Sequence, residues 1–442
     1  MPAAFDPAVL AADPGPRADV LAALAGALAA ADPAAAVRRH FRLSRSGLMA
    51  GGARMPLPKG GVLLLAFGKA APAMAGAALS VLEGREVAGL VASPSGARVG
   101  PLEAVAAGHP LPDAGSLRAG ERMMELAGQA GPHTLVVVLV SGGGSALAEV
   151  PAPGLALEDL EEVNRALLHS GAPITEVNAV RRHLSAFKGG RLAVAAAPAP
   201  LITLILSDVV GSPLEAIAGG PTVPDPTTYA DALSVLDRRQ VAAPAARAVL
   251  EAGAAGRHPD TPKAGEAFSG PVVVVADGAA AAEGAAAAAR ERGLRARVAS
   301  TTEEGEARLV GARLAGRARR LRPGEMLIYA GETTVTVTGK GRGGRNQELA
   351  LAAGLALEGS RTGALVASFA TDGVDGPTDA AGGIGDTGTV ARARGLGCDP
   401  AAALANNAAL PCLEASGDLL CCGPTGTNVG DVMVAYRPRR KG

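Results

Sequence analysis

Residues 135–151 read LVVVLVSGGGSALAEVP. Leu135 to Val140 form an unbroken, mostly β-branched apolar run, the pattern of a strand buried on both faces as in a parallel sheet. The run stops at Ser141, and Gly142, Gly143, Gly144 and Ser145 follow before a helix-like stretch. Glycines at a strand-to-helix turn let backbone N–H groups approach an anion closely, and a helix dipole favours negative charge there. The segment therefore predicts a phosphate cradle; its bland alternative is a tight turn with no ligand. It is not a Walker A loop, because no GK[ST] follows, and it is not GxGxxG.

Similar apolar runs recur on both sides: VLLLAF (62–67), LITLILSD (201–208), VVVVAD (272–277), MLIYAGE (326–332), VTVTG (335–339) and LVASFATD (365–372). Helical stretches separate many of them, including the Ala-rich 278–294, whose bias is helix propensity. Strands alternating with helices predict an α/β fold with mainly parallel sheets. Residues 1–50 predict two or three helices broken at Pro14, Pro16 and Pro33. Periodicity fades over 250–270, which reads as a linker. The expected organisation is a Rossmann-like α/β domain over 1–250 and a second α/β domain over 270–442.

Composition narrows the function. The 442 residues carry 42 Lys+Arg against 42 Asp+Glu, which removes the basic footprint of a nucleic-acid binder. Aromatics are 2% with no Trp, so base-stacking platforms are scarce. No apolar run reaches the ~18 residues that span a bilayer, and the N-terminus lacks a basic signal-peptide region. Cys398, Cys412, Cys421 and Cys422 cluster near the C-terminus without a disulfide-framework spacing, so a reducing, cytoplasmic setting and small core cysteines are expected. Only six of the cations are Lys, at 59, 69, 188, 263, 340 and 441. A Lys kept beside glycine suits a compact charge among phosphates.

In an open α/β sheet, ligands bind beyond the carboxyl ends of strands. Lys69, in FGKAAPAMA (67–75), stands there and can reach phosphate oxygens, or else it caps or faces solvent. Asp208, in LSDVVGSP (206–213), can hold a divalent cation or take a proton from a hydroxyl, or else serve as an Asx turn. In GGPTVPDPTTY (219–229), Thr222, Asp225 and Thr228 can face a ligand. A helix expected over about 176–188 puts Asn178, Arg181, Arg182 and Ser185 on one face, where an Arg pairs a carboxylate bidentately or lies solvated. In GETTVTVTGKGRGGRNQELALAAG (331–354), Lys340, Arg342 and Arg345 gather in a glycine loop before a helix expected near Gln347, with Glu332, Asn346 and Glu348 beside them. Three such cations predict an anion among them. Asp372, Asp375 and Asp379 in FATDGVDGPTDAAGG (369–383) are spaced like hard-cation ligands, without an EF-hand ending. GPTGTNVGD (423–431) is a further Gly/Thr loop.

Taken together, AFGKAA, GHPLPD, LVSGGGSAL, ITEVNAVRRHLSAFKGGRLA, LILSDVVG, IAGGPTVPDPT, GKGRGGRNQELAL, ATDGVDGPTDAAG and GPTGTNVGD resemble the glycerate 2-kinase family, the group with a C-terminal MOFRL domain. The resemblance runs from about 66 to 431, and RGGRNQE and TDGVDGPTDAAG are its specific blocks. It implies ATP-dependent phosphorylation of D-glycerate to 2-phosphoglycerate, a divalent cation such as Mg²⁺, and two α/β domains with the active site in the cleft between them. It also implies Lys69 and Arg345 at the transferring phosphate.

Phosphoryl transfer needs positioning and charge stabilisation above all. The expected roles are Ser141, Gly142, Gly143, Gly144, Ser145, Lys340 and Asn346 on the nucleotide, and Lys69, Arg345 and Asp208 in catalysis. Asp208 or Asp375 would ligate the metal, and Asn178, Arg181, Arg182 or Arg342 would hold the glycerate carboxylate. The expected partners are ATP and the small-molecule acid, with no nucleic acid and no membrane, in a monomer or homodimer. One rival is a hydroxypyruvate reductase-type oxidoreductase, which wants GxGxxG with an acidic residue ~20 positions on. Another is a non-catalytic module binding a nucleotide or sugar acid.

Overall fold

A computed structural model describes residues 15–44, 47–56, 58–265 and 270–439. Two compact units divide the chain, one of Ala36–Ser207 and Ser212–Val275, the other of Asp208–Gly211, Ala276–Gly442 and the described part of Met1–Ala35. The fold is mixed α/β, as expected.

The first unit opens with a small antiparallel sheet, β1 (Phe41–Ser44), β2 (Gly47–Ala50) and β3 (Ala53–Met55). Its main sheet uses β4 (Val62–Phe67), β5 (Val87–Ser93), β6 (Glu103–Ala106), β7 (Leu135–Val140), β8 (Leu201–Leu206) and β9 (Val272–Ala276) in the order β6-β5-β4-β7-β8-β9. The pairs β4/β5, β5/β6, β4/β7 and β7/β8 are parallel. Every residue of β4, β7 and β8 is buried, which accounts for their unbroken apolar runs. From β4 the chain winds outward to β6, then returns to β7 and winds the other way. The junction of β4 and β7 is therefore the point where strand order reverses.

The second unit's sheet uses β10 (Arg295–Glu306), β11 (Glu325–Thr334), β12 (Leu365–Ala370), β13 (Gly382–Asp386), β14 (Leu419–Leu420) and β15 (Asp431–Arg437), in the order β10-β11-β15-β12-β13-β14. Here only β10/β11 is parallel, and the other four pairs are antiparallel. The parallel expectation thus describes the first sheet, while the second is mixed. Residues 335–339 form no strand. Three of their N–H groups are taken by side chains, Thr336 by Glu306 and both Thr338 and Gly339 by Asn407 Oδ1 at 2.9 Å.

The unit boundaries differ from the expected 1–250 and 270–442. The Pro16–Ala30 helix belongs with the C-terminal half, where it lies against the Gly278–Glu291 helix. A Cβ on Gly26 would sit 2.6 Å from Gly284 O and 2.5 Å from Ala288 Cβ, so glycine permits this close approach. Tyr436 donates to Asp19 at 2.7 Å, and Thr427 donates to Ala31 O at 2.7 Å. The described part of the expected linker, 250–265, is instead built into the first unit. The Pro244–Ala254 helix enters it, buried Thr261 donates to Asp225 at 3.1 Å, and Asp225 N donates to Pro262 O at 2.9 Å. Among the described residues no single helix is long and apolar enough to cross a membrane. The four cysteines are free, with Cys412 buried but Cys421 exposed rather than in the core.

Candidate active site

Two loops meet where the first sheet reverses its order, the place where open α/β sheets bind ligands. Phe67 ends β4, and Gly68 and Lys69 follow; Val140 ends β7, and Ser141 follows. Backbone bonds tie the two turns: Ser141 N donates to Phe67 O at 3.1 Å and Lys69 N to Gly142 O at 2.9 Å. Ser141 Oγ accepts from Ala70 N at 3.0 Å. Gly68 has φ +126°, and a Cβ on it would lie 2.1 Å from Ser141 Oγ. Gly143 has φ +81°, and a Cβ there would lie 2.8 Å from the His109 ring and 3.4 Å from Lys69 Cγ. The cradle thus brings Lys69, Gly142, Gly143 and His109 together. Partial burial and the Lys69 charge push the His109 imidazole below its usual range. Lys69 is exposed and has no ion pair among the described residues. The N–H groups of Gly142 and Gly143 likewise find no acceptor there. The helix after the glycines is a single turn, Gly144–Leu147, so the anion-binding capacity rests on these N–H groups and Lys69 rather than on a long helix dipole.

Behind this turn lies a buried ion pair that sequence reasoning passed over. Lys188 is 1% exposed and Glu149 5%, and Lys188 Nζ contacts Glu149 Oε2. Ser185 Oγ donates to Glu149 Oε1 at 2.6 Å. Phe187 stacks edge-on against Phe67 at 5.5 Å, linking this segment to the β4 turn.

The expected helix over 176–188 spans Ile174–His183 instead. Ser185 to Lys188 leave it because Ser185 Oγ accepts from the N–H groups of Phe187 and Lys188, each at 3.1 Å. Arg182 is committed inside the unit, to Asp225 at 2.8 Å and Thr227 at 3.1 Å. This removes Arg182 from the carboxylate-binding set and makes Asp225 its counter-ion. His183 is buried between Ala179 O and Asp260. Thr222 is buried and accepts from Thr203 at 2.9 Å. Asn178 is buried, and Arg181 is half-buried on the same helix.

In the second unit, Arg345 opens the Arg345–Leu357 helix and is clamped by carboxylates. Its Nε donates to Asp431 Oδ2 at 2.6 Å and its NH2 to Asp431 Oδ1 at 3.0 Å. Its NH1 pairs with Glu332 at 2.8 Å. The anion expected among the loop cations is, for Arg345, supplied by the protein. Burial pushes the Asp431 carboxyl up, against the pull of Arg345. Desolvation raises Glu332 as well, and the carboxylates of Asp431, Asp208 and Asp372 reinforce that against Arg345. Asp208 is part of this unit, and its Oδ2 accepts from Asn428 Nδ2 at 3.2 Å. Asp431 and Asn428 are thus members of the site that were not singled out, although NVGD standing directly before the apolar VMVAY could have marked them.

Asp375 has another task than the expected metal ligand. Its Oδ1 accepts from Asn346 N at 3.1 Å and its Oδ2 from Gln347 N at 2.9 Å, so it holds the first turn of the Arg345–Leu357 helix. Burial pushes its carboxyl up to about 6, against those two N–H groups. Asn346, fully buried, bridges Asp375 and Asp431 at 3.2 and 3.0 Å, so its amide is turned inward rather than toward a nucleotide. Lys340 and Arg342 are exposed on the loop, which Asn406 and Asn407 hold by accepting from Lys340 N, Thr338 N and Gly339 N.

Comparison with known proteins supplies the rest. Residues 19–252 match a family described as a domain of unknown function, DUF4147, and residues 325–431 match the MOFRL family. The chain is 42% identical over 385 residues to the D-glycerate 2-kinase of Thermotoga maritima, covering 84% of this chain and 90% of that protein. It is also 42% identical over 387 residues to a protein of Agrobacterium vitis called a putative hydroxypyruvate reductase, covering 85% and 87%. The crystal structure of glycerate kinase from Thermotoga maritima superposes with a TM-score of 0.83 at 38% identity, over 94% of this chain and 97% of that one. With both domain families present and this identity sustained along most of its length, the chain belongs to the glycerate kinase family.

Proposed function

We propose that this protein transfers the γ-phosphoryl group of ATP to the C2 hydroxyl of D-glycerate, giving 2-phosphoglycerate and ADP. The observation that carries the reading is the junction of β4 and β7, where Lys69 and two unpartnered glycine N–H groups face the reversal point of a parallel sheet. That chemistry is made for phosphate oxygens. The family membership supports glycerate as the acceptor, and the kinase name of the Thermotoga maritima relative supports the 2-position.

Gly142, Gly143 and Lys69 take the nucleotide's phosphates. Arg345, held in one orientation by its two bonds to Asp431 and by Glu332 on NH1, is the candidate cation for the phosphoryl group in transfer. The C2 oxygen bonds to phosphorus as the bond to the β-phosphate oxygen breaks, and the hydroxyl proton passes to a carboxylate, for which Asp208 is the candidate. Asp208, Asp372 and Glu332 are oxygen donors of the kind a hard cation takes. Among the described residues no three such groups converge tightly enough to enclose a metal. Mg²⁺ takes one or two carboxylates of this kind and completes its shell with water and substrate phosphates. When bound, the ion would neutralise phosphate charge.

The test is ³¹P NMR of the protein with ATP, Mg²⁺ and D-glycerate. A growing 2-phosphoglycerate resonance together with ADP is the expected result. A 3-phosphoglycerate resonance would overturn the position. Untouched ATP, with NADH consumed in the presence of hydroxypyruvate, would overturn the kinase reading in favour of the reductase.

A further inference from the structure

We propose that His109 is a further member of the phosphate cradle, donating its ring Nε2–H to the polyphosphate that Lys69 and the N–H groups of Gly142 and Gly143 also take; the inference rests on the kinase reading for the identity of that polyphosphate.

His109 reaches the cradle from a third strand. β6 is parallel to β5 and β5 to β4, so its carboxyl end opens on the same edge of the sheet as those of β4 and β7. Ala107 N donates to Ser93 O at 3.2 Å, and Gly68 N donates to Ala92 O at 3.2 Å. The end of β5 thus ties the turn after β6 to the turn that carries Lys69. Gly108 N is held twice, by Asp113 Oδ1 at 2.9 Å and by Ser116 Oγ at 3.2 Å. Asp113 is also the N-cap of the Ala114–Gly128 helix, so the backbone just before His109 is anchored to a helix terminus.

The ring itself lies on Gly143. The point where a Gly143 Cβ would stand is 2.8 Å from His109 Cδ2, 3.1 Å from His109 Nε2 and 3.4 Å from Lys69 Cγ. The Cδ2–Nε2 edge of the imidazole and the Lys69 stem therefore share one face of Gly143. A side chain at 143 would collide with the ring, so the ring requires glycine there as much as the φ of +81° does. The imidazole does not fill a core. His109 is exposed, and among the described residues neither ring nitrogen has a hydrogen-bond partner.

Its chemistry suits the place. Partial burial and the neighbouring Lys69 lower its hold on the proton, so at neutral pH the ring stays uncharged. An uncharged imidazole still has one N–H to give, and it adds that donor without setting a second full charge beside Lys69. The donors gathered here come from three separate turns, after β4, β6 and β7. Polyphosphate oxygens are spread widely enough to meet all three, whereas a carboxylate presents only two oxygens on one carbon.

The experiment measures equilibrium binding of tripolyphosphate, of the non-hydrolysable analogue AMP-PNP and of D-glycerate to the full chain, to His109→Phe and to His109→Gln. Phe keeps a ring on Gly143 without a donor, and Gln restores an N–H at similar reach. His109→Phe is expected to weaken tripolyphosphate and AMP-PNP by about tenfold or more, the scale of one hydrogen bond to a charged group. It should hold D-glycerate within threefold, which also shows that it is folded. His109→Gln should fall between wild type and His109→Phe. A His109→Phe protein that keeps its affinity for both polyphosphates overturns the donor and leaves the ring as a cover on Gly143. Loss of D-glycerate with AMP-PNP retained overturns it too, by giving the ring to the acid. A His109→Gln protein as weak as His109→Phe overturns the hydrogen bond. A wild-type protein that binds tripolyphosphate through His109 but transfers nothing from ATP would sink the kinase reading and leave the donor standing.

Discussion

Substituting Gly68 by Ala should damage both activity and stability. Gly68 has φ +126°, a region that residues with a side chain rarely adopt. An added Cβ would lie 2.1 Å from Ser141 Oγ, 2.6 Å from Ser141 O and 2.8 Å from Ser141 C. Two of those atoms are backbone, so no rotamer relieves the clash, and the β4 and β7 turns must part by roughly 1 Å. Backbone strain costs about 1–3 kcal/mol and overpacking about as much again, giving a loss of roughly 2–6 kcal/mol in unfolding free energy. The same displacement separates Lys69 from Gly142 and Gly143. A misplacement of about 1 Å commonly lowers turnover ~100-fold. Gly84 is the control: its φ is +81°, but a Cβ there would meet nothing within 4 Å, so Gly84→Ala should cost about 1 kcal/mol and leave turnover intact. Urea unfolding reports the stabilities, and a coupled ADP-release assay with D-glycerate reports turnover. If Gly68→Ala stays within threefold of Gly84→Ala in kcat/KM, the two turns do not form the phosphate site.

Lys69→Met should lower kcat by about 100-fold, because a point charge on the phosphoryl oxygens is lost, while the urea midpoint stays put, since Lys69 is exposed and unpaired among the described residues; an unchanged kcat would remove it from the catalytic set. Asp375, with its carboxyl pushed up to about 6, holds its proton more tightly in the native than in the unfolded state. Its contribution to stability is therefore complete below about pH 4 and lost as pH rises through about 6, a fall of about 3 kcal/mol. Asp375→Asn should flatten that part of the stability profile, and a profile parallel to wild type would refute the assignment.

How much of this was legible in the sequence depends on how local the cause is. Leu135 to Val140 are buried on both faces and say so by their composition. Gly68 and Gly143 are required by close contacts that their loops advertise as glycine. Strand order is set by packing between distant segments, so the adjacency of β4 and β7 could not be read from either run alone. β15 was missed for a different reason: GPTGTNVGD was read as a loop, and the apolar VMVAY after Asp431 was left out, although it forms the centre of the second sheet. Asp375 shows a limit of spacing arguments. A carboxylate in a glycine-rich loop suits a metal or a helix N-terminus equally, and only the direction of the side chain, here toward Asn346 N and Gln347 N, decides. Arg182 was misread in the same way, because its partner Asp225 lies 43 residues along the chain.

The charge around Arg345 has its own consequence. The glycine loop reads as three cations awaiting an anion, yet Arg345 is already matched by Asp431 and Glu332, and Asp208 and Asp372 add further negative charge near Glu332. Four carboxylates against one guanidinium would repel a triphosphate, and Arg345 alone cannot reverse that. Its value lies in a fixed orientation, while the surplus negative charge calls for a second cation. Under the proposed kinase reading a divalent cation would offset this charge, and removing a carboxylate should weaken its binding before it weakens the fold. Asp372→Asn and Glu332→Gln should each raise the Mg²⁺ concentration for half-maximal turnover by about tenfold, the scale of a group beside a metal, with unfolding midpoints near wild type because neither residue is deeply buried. Turnover measured across a Mg²⁺ titration distinguishes the cases. An unchanged Mg²⁺ requirement in both variants would mean that the ion is held without these carboxylates, and that their raised protonation in the unliganded protein is how the charge is relieved.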